Sequence, residues 1–212
     1  MAGKFRQAEE QLYALVGFSE RKHGKDHPET LKRRMSLGEA LERCGGASLP
    51  DASEQFRLAA VGWECTIGQQ TENAVYCRYK AGLGYSSGEK FSLSWPYWKE
   101  AEENLRRAAE GWKSLHGERD DKALEAQIAY ATVLLKKQDD SNALRVFRNA
   151  LSVAKAKGRP KSHAQVRNIK EGIEECEFWL REGQPKDRLE IARRREAKAY
   201  RAKNWRAETG HW

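Results

Sequence analysis

The sequence predicts an all-α protein in which a helix pair repeats along the chain. The five prolines all lie beside turn-rich stretches and separate segments rich in Ala, Leu, Glu, Arg and Lys. No long run alternates strictly between apolar and polar residues, whereas Leu105, Ala108 and Trp112 follow one helical stripe. The chain also aligns with itself at a period of about 42 residues, and such self-similarity is typical of helical-repeat proteins.

Three segments superpose without gaps and define the repeat: residues 8–24, 52–68 and 101–117. Each segment predicts a helix that begins with alanine and ends before a glycine, and Ala143 opens a weaker fourth copy. Beyond each glycine the same register predicts a second helix, because large, small and large residues recur at matching positions. These positions hold Leu31, Val75 and Leu124, then Gly38, Gly82, Ala131 and Gly172, then Leu41, Tyr85 and Leu134.

The elements follow from this register. A helix pair of this size cannot bury its apolar face alone, so neighbouring pairs must stack on one another. The small residue inside each second helix is expected where a neighbouring helix approaches closely, because a helical glycine otherwise costs roughly 1 kcal/mol. Trp63, Trp112 and Phe18 are expected to anchor the packing between pairs. Eight helices are predicted over residues 4–22, 29–44, 51–66, 71–86, 95–116, 120–138, 141–157 and 162–182, and a ninth over 186–207.

Composition excludes several classes of protein. No apolar run approaches the ~18 residues of a membrane-spanning helix, and the charged first residues are unlike a signal peptide. The four cysteines lack the spacing of metal ligands or of a disulfide framework, which predicts reduced thiols. We therefore expect a protein of the cytoplasm, or of the nucleus, that holds no metal and no cofactor.

The basic charge is concentrated at the C-terminal end. Nine basic residues stand against four acidic ones from Pro185 to Trp212, in a chain of net charge +8. We predict a repeat domain over residues 1–184 and a basic capping helix and tail over 185–212, since repeat arrays require capped ends. The alternative for this segment is binding of nucleic acid, with Tyr200 or Trp205 stacking on bases.

The first copy of the repeat carries a recognisable pattern, and the chain resembles the tetratricopeptide repeat in its kinesin-light-chain variety. Later copies keep the first alanine, the turn glycine and the small residue, but replace His-Pro by Thr71-Glu72 and Asp120-Asp121. The likeness covers about residues 5–182. The residues that carry it in the first copy are Ala8, Glu9, Leu15, Gly24, Asp26, His27, Pro28 and Leu37.

The resemblance implies a right-handed α-solenoid of about four helix pairs, in which the first helix of each pair lines a concave groove. Members of the family commonly hold a peptide segment of another protein there, often with paired asparagines that clamp the peptide backbone. This chain has Met35-Ser36, Tyr79-Lys80 and Ile128-Ala129 at those positions, so the usual clamp is absent.

Cations and aromatic residues around these positions predict a protein-protein interaction adaptor that binds an acidic peptide. Guanidinium and ammonium groups would pair with carboxylates while a tyrosine packs an apolar anchor. The alternative is that these cations form an ordinary solvated helix face. The predicted groove residues are Arg34, Tyr76, Arg78, Tyr79, Lys80, Gln127 and Lys170.

The segment from Ser86 to Glu100 departs from the repeat and holds a candidate aromatic binding loop with Trp95, Tyr97 and Trp98. These rings bind a partner or fold back over an adjacent helix pair. No catalytic motif occurs, so no catalytic residue is predicted. An atypical enzyme, with a pocket near Tyr76, Tyr79, Arg78, Trp95 and Trp98, is a third alternative.

The histidines indicate turn and capping roles. His23 and His116 precede the repeat glycines, where a helix C-terminus is expected to favour their charged form. His27 belongs to the turn of the family pattern, and His163 is expected in the first turn of its helix.

Overall fold

The computed structural model describes residues 2–45, 48–68, 71–87, 95–160 and 162–182. Within these residues the chain forms eight α-helices and no strand, which confirms the predicted fold class. Every observed boundary lies within two residues of its predicted position. The helices are α1 (Ala2–His23), α2 (Pro28–Cys44), α3 (Leu49–Thr66), α4 (Glu72–Ser87), α5 (Trp95–His116), α6 (Asp121–Lys136), α7 (Asp140–Ala156) and α8 (Ala164–Glu182).

Equivalent side chains start the second helix of each copy. The Nδ1 atom of His27 accepts a hydrogen bond from Glu29 N at 3.2 Å, and Asp120 accepts from Lys122 N at 2.9 Å. His163 Nδ1 accepts from Gln165 N at 3.3 Å. Such caps satisfy amide groups that a helix start leaves without a partner. His163 therefore precedes α8 as its cap rather than lying in its first turn, which corrects the prediction for that residue.

Each helix from α1 to α6 packs against the next, and α4 also contacts α6. Helices α7 and α8 meet where Phe147 lies against Gly172. We call α2, α4, α6 and α8 the A-helices, and α1, α3, α5 and α7 the B-helices. The A-helices are the second helices of the copies defined from the sequence, so the residues predicted for a groove of first helices lie on second helices. The order of contacts is that of a helical array in which each element mainly meets its neighbours in sequence.

Glycines allow the close approach that the sequence predicted. A Cβ atom placed on Gly82 would lie 2.6 Å from Leu105 Cγ, and one on Gly172 would lie 2.5 Å from Phe147 Cζ. Both distances are shorter than non-bonded carbon atoms can approach, so a residue with a Cβ atom would clash there. Glycine avoids the clash at both helix contacts. Trp63 and Trp112 are buried, as predicted for packing anchors, whereas Phe18 is 52% exposed and the prediction for it was wrong.

The described residues up to Cys176 belong to one compact unit, and the end of α8 from Glu177 to Glu182 belongs to a second one. The predicted ninth helix over 186–207 and the segment 185–212 lie outside the described residues. None of the described helices is both long and apolar enough to cross a membrane.

Candidate functional site

The A-helices expose one common face that we call the A-helix wall. Tyr76 of α4 reaches Glu39 of α2, and Gln165 of α8 donates to Glu125 of α6 at 3.3 Å, so side chains connect successive A-helices. The register of the repeat places Lys32, Tyr76 and Glu125 at one matching position, and Met35, Tyr79 and Ile128 at another. Lys170 matches Lys80 through the alignment of Gly172 with Gly82, and Arg167 is included as an exposed cation of the same helix. The wall consists of Lys32, Met35 and Glu39 of α2, Tyr76, Tyr79, Lys80 and Leu83 of α4, Glu125 and Ile128 of α6, and Arg167 and Lys170 of α8.

Two of the predicted groove residues fasten α4 to α2. The hydroxyl of Tyr76 donates to Glu39 Oε1 at 3.1 Å, and the ring of Tyr76 meets Phe56 edge-on at 6.3 Å between centroids. Burial, reinforced by the charge of Glu39, raises the pKa of Tyr76 to about 12. Lys80 forms a salt bridge with Glu42 and lies 5.9 Å from the Phe56 ring centroid. Tyr76 and Lys80 thus lie on one face of α4, the face that meets α2.

An apolar row crosses the wall at a single position of the repeat. Met35, Tyr79 and Ile128 are equivalent in the repeat, and all three are half-buried. Met35 Sδ accepts a hydrogen bond from Trp63 Nε1 at 3.3 Å, so this side chain is held in place from the core. Burial raises the pKa of Tyr79, with a smaller contribution from Glu125. The register already aligned Met35 and Ile128 with Tyr79, but the prediction did not include them.

Arg78 lies on the other side of α4 and joins three helices. Its Nε and Nη2 atoms donate to both carboxylate oxygens of Glu64 at 2.8 and 2.6 Å, and Nη1 donates to Asn104 Oδ1 at 2.9 Å. The side chains of Arg78 and Glu64 are only 10% and 12% exposed. Arg78 therefore holds α3, α4 and α5 together in a bidentate, charge-assisted contact.

Arg34 makes the same contact one repeat earlier. Its guanidinium forms a salt bridge with Glu20 of α1 and donates to Gln55 Oε1 of α3 at 2.9 Å. Glu20 and Gln55 occupy the repeat positions of Glu64 and Asn104. We call this recurring contact the arginine brace, in which an A-helix arginine joins the B-helices on either side of it.

The third copy has lost the arginine brace. Gln127 stands at the arginine position, while Lys113 and Val146 replace the acidic and amide partners. Lys113 instead pairs with Glu118 at 2.7 Å. Gln127 Oε1 is buried without a hydrogen-bond partner. The residue is thus a remnant of the brace position.

These contacts divide the predicted groove residues into two groups. Arg78 is two residues from both Tyr76 and Lys80, which places it about 200° around α4 from each of them. Arg34, Arg78 and Gln127 occupy the brace position, and Tyr76, Tyr79, Lys80 and Lys170 belong to the wall. The grouping of Arg78 with Tyr76 and Tyr79 in one groove is therefore corrected.

The charges of the wall are mixed. Lys80 is paired with Glu42, and Glu39 accepts from Tyr76. No ion-pair partner is found within the described part of the chain for Lys32, Arg167 or Lys170, which are therefore the cations of the wall that remain available to a ligand.

The described rings of the aromatic loop pack on their own chain. Tyr97 lies at the start of α5 and stacks on Tyr85 with centroids 6.0 Å apart. Trp98 packs partly buried against the central core, and Lys136 Nζ lies 5.7 Å from its ring centroid. The side chain of Trp95 lies outside the described part. These contacts favour the interpretation in which the aromatic residues fold back over an adjacent helix pair.

The pocket of the enzyme alternative is not assembled, because Arg78 and Tyr76 face different sides of α4. A cleft of about 240 Å³ lies instead beside the arginine brace. Across the described ranges, no three His, Cys, Asp or Glu side chains are placed to hold a metal ion. The cleft is lined by Glu64, Val75, Arg78, Arg106, Arg107, Glu110 and Gly111.

The two helix-terminal histidines differ. His116 Nε2 lies 3.0 Å from Glu72 Oε1, and its ring stacks on Trp112. His23 stacks on His27 with centroids 4.7 Å apart. Loss of hydration and then the neighbouring cations, His27 first, lower the pKa of His23, so the predicted preference for its charged form was wrong.

Comparison with known proteins identifies the fold. No family model matches the sequence, and no curated protein does. The structure is similar to a putative kinesin light chain of Podosopora anserina with nearly identical TPR-like repeats, with a TM-score of 0.65 and 17% identity, over 97% of this chain and 90% of that chain. A single-substitution variant of that protein gives the same values. BtubC (BKLC) of P. vanneervenii is similar with a TM-score of 0.56 and 15% identity, over 88% of this chain and 78% of that chain. The chain therefore has the tetratricopeptide-like repeat fold of kinesin-light-chain structures.

Proposed function

We propose that this protein is an interaction scaffold that binds a segment of another protein along the A-helix wall. The observation that carries the proposal is the apolar row of Met35, Tyr79 and Ile128, three half-buried side chains at one repeat position on successive helices. A row of this kind offers an extended segment apolar contact at regular intervals, while neighbouring polar groups fix its orientation.

We further propose that the bound segment is acidic. Lys32, Arg167 and Lys170 supply wall cations without partners in the described chain, whereas Arg34 and Arg78 are held in the arginine brace. Carboxylates of a ligand would pair with the available cations by charge-assisted hydrogen bonds. Glu39 and Glu125 on the same wall would disfavour a segment of uniformly negative charge. The expected ligand therefore combines apolar anchors with acidic residues at its ends.

Selection of binding peptides from a random library tests both parts. Peptides selected on the wild type should share an apolar residue and acidic residues, and Tyr79→Ala should weaken their binding at least about tenfold. A Lys32→Glu/Lys170→Glu variant should weaken binding of the acidic peptides and restore it for their basic counterparts. Arg106→Glu, on the exposed side of α5, is the matched charge control. Selected peptides that bind all four proteins equally would contradict the proposal.

A second proposal concerns the basic segment 185–212, which lies outside the described residues. Its nine basic residues against four acidic ones favour binding to the phosphates of a nucleic acid. Removal of residues 186–212 should then abolish binding whose strength falls as salt rises, and unchanged binding would contradict it. The cytoplasm, or the nucleus for this second activity, remains the predicted compartment.

A further inference from the structure

The outer side of α1 exposes apolar residues in a way that the other B-helices do not. Leu15 is 47% exposed and Phe18 is 52% exposed. The residues equivalent to Leu15 in α3 and α5 are alanines that are completely buried, Ala59 and Ala108. A contiguous exposed apolar stripe of this kind is typical of a surface that another protein segment covers. We call the stripe of Gln11, Leu15, Phe18 and Lys22 the outer face of α1.

Phe18 prevents an A-helix from covering the outer face of α1 in the way that A-helices pack elsewhere in the array. The equivalent residues, Gly62 and Gly111, lie against the A-helix that precedes their own helix. A Cβ atom on Gly62 would lie only 2.3 Å from Leu31 Cδ2, and one on Gly111 only 2.4 Å from Val75 Cγ2. A phenylalanine ring therefore prevents a preceding A-helix from taking the usual position against α1. Any helix on the outer face of α1 would therefore have to pack there differently from the other A-helices.

The charges on one flank of this stripe are complementary to those on the same flank of a second, antiparallel α1 helix. Glu10 lies near the beginning of the stripe, and Arg21 lies near its end on the same flank, since eleven residues complete about three helical turns. Both side chains are exposed. An antiparallel copy of α1, related by a two-fold axis between Leu15 and Phe18, would place each Arg21 within one helical turn of the other copy's Glu10. A parallel two-fold pair would place these flanks on opposite sides of the interface, so Arg21 of one copy would not meet Glu10 of the other.

We propose that a second copy of this chain covers the outer face of α1, and that the two α1 helices pair antiparallel in a symmetric dimer. Leu15 of each copy packs against Phe18 of the other, which is the self-complementary arrangement of a two-fold interface. Lys22, whose Nζ lies 5.9 Å from the Phe18 ring centroid, covers the edge of this contact. Because only one helix of each copy contributes, the dimer is expected to be weak and concentration-dependent.

Sedimentation equilibrium of the full chain, at concentrations from about 1 to 100 µM, tests the proposal. The wild type should change from a mass of 24.3 kDa towards twice that value as concentration rises. Leu15→Glu/Phe18→Glu should raise the dissociation constant of the dimer at least about tenfold. Both side chains are exposed, so the circular dichroism melting curve should be preserved. Ile67→Glu, which replaces another exposed apolar side chain at the end of α3, is the matched control and should leave dimerisation unchanged.

A charge exchange tests the antiparallel arrangement itself. Arg21→Glu alone and Glu10→Arg alone should each raise the dissociation constant about threefold to tenfold, and the double variant should restore it to within about twofold. A wild type that stays monomeric throughout the concentration range overturns the proposal and assigns the face to a different protein. A dimer that survives Leu15→Glu/Phe18→Glu also overturns it. A dimer that loses affinity without rescue by the double variant overturns the antiparallel arrangement.

Discussion

Arg78 and Lys80 lie two residues apart on α4 and have different environments. Arg78 is buried between Glu64 and Asn104, where its donors satisfy a carboxylate and an amide oxygen that have little access to water. Lys80 lies on the A-helix wall with Glu42. An arginine in a repeat position shared with Arg34 thus stabilises the array, while the lysine belongs to the surface that a ligand would meet.

Replacing Arg78 tests the arginine brace. Arg78→Met should lower the free energy of unfolding by about 2–4 kcal/mol, because it leaves the buried Glu64 and Asn104 without their main partner. Arg107, whose Nη1 atom is 3.3 Å from Glu64 Oε2, limits the loss. Arg106→Met is the control, since its ion pairs are exposed and should contribute at most about 1 kcal/mol. Equal losses in urea unfolding would contradict a structural role for the brace.

The third copy should respond in the opposite way. Gln127→Met removes the buried Oε1 atom that has no hydrogen-bond partner and keeps a side chain of similar length. The free energy of unfolding should rise by up to about 1 kcal/mol, because burying an acceptor without a hydrogen bond is costly and the substitution removes that acceptor. The same urea titration measures it. A loss as large as that of Arg78→Met would show that Gln127 still takes part in a brace.

The α1–α2 turn should make stability depend on pH. The folded state lowers the pKa of His23 below its usual 6.5. Neutral His23 therefore contributes fully to the free energy of unfolding above pH 6.5, and this contribution is lost as pH falls through the lower folded-state pKa. The melting temperature should therefore fall between about pH 7.5 and pH 5.5.

His27→Asn isolates this effect from the titration of other groups. Asparagine keeps a side-chain acceptor at the cap of α2 and removes the neighbour that, after loss of hydration, most lowers the pKa of His23. The variant should lose less stability than the wild type over the same pH interval in circular dichroism melting. An identical fall in both proteins would mean that the turn is not the cause.

At the scale of helices, a glycine is required where a neighbouring helix leaves no room for a Cβ atom, and it is replaceable elsewhere. Gly82→Ala should lower the free energy of unfolding by about 1–3 kcal/mol, since its Cβ would meet the side chain and the backbone N of Leu105. Gly17→Ala is the control, because its nearest contact is Arg21 Nη1 at 3.6 Å. It should raise the free energy of unfolding by about 0.5–1 kcal/mol, the usual helical preference for alanine. Thermal unfolding that ranks the variants in reverse would contradict the packing described.

The helices could be predicted from the sequence because local signals mark their ends. Turn glycines such as Gly24 and Gly117 adopt φ angles of +97° and +90°, and capping side chains recur in each copy. The prediction that Phe18 anchors the packing was wrong, because residues at one position of the aligned segments were expected to share one environment. The residue instead lies on a face of α1 that no A-helix covers within the described chain.

The candidate site could be predicted only in part. The repeat register placed Tyr76, Tyr79 and Lys80 together on one helix, which is α4 of the structure. It did not separate Arg78 from them, although a difference of two residues already places side chains on nearly opposite sides of a helix. The partners of Arg78 could not be predicted from the sequence, because Glu64 and Asn104 belong to two other helices and their placement depends on how the helices pack.

At the scale of the compact unit that ends at Cys176, different faces have different roles. The arginine brace holds successive B-helices to the A-helix between them, and the A-helix wall carries the apolar row. The outer face of α1 belongs to a B-helix, so dimerisation and binding along the wall use separate residues. Variants of Leu15 and Phe18 should therefore leave peptide affinity unchanged, and variants of Tyr79 should leave the dimer intact.

The central claim is that the A-helix wall is the ligand-binding surface. Chemical-shift mapping of the amide resonances of this 24.3 kDa chain, titrated with one selected peptide, tests it most directly. The account predicts the largest shifts around Met35, Tyr79 and Ile128, with small shifts along α3 and α5. Shifts concentrated around Glu64, Arg106 and Glu110, on the side of the arginine brace, would contradict it.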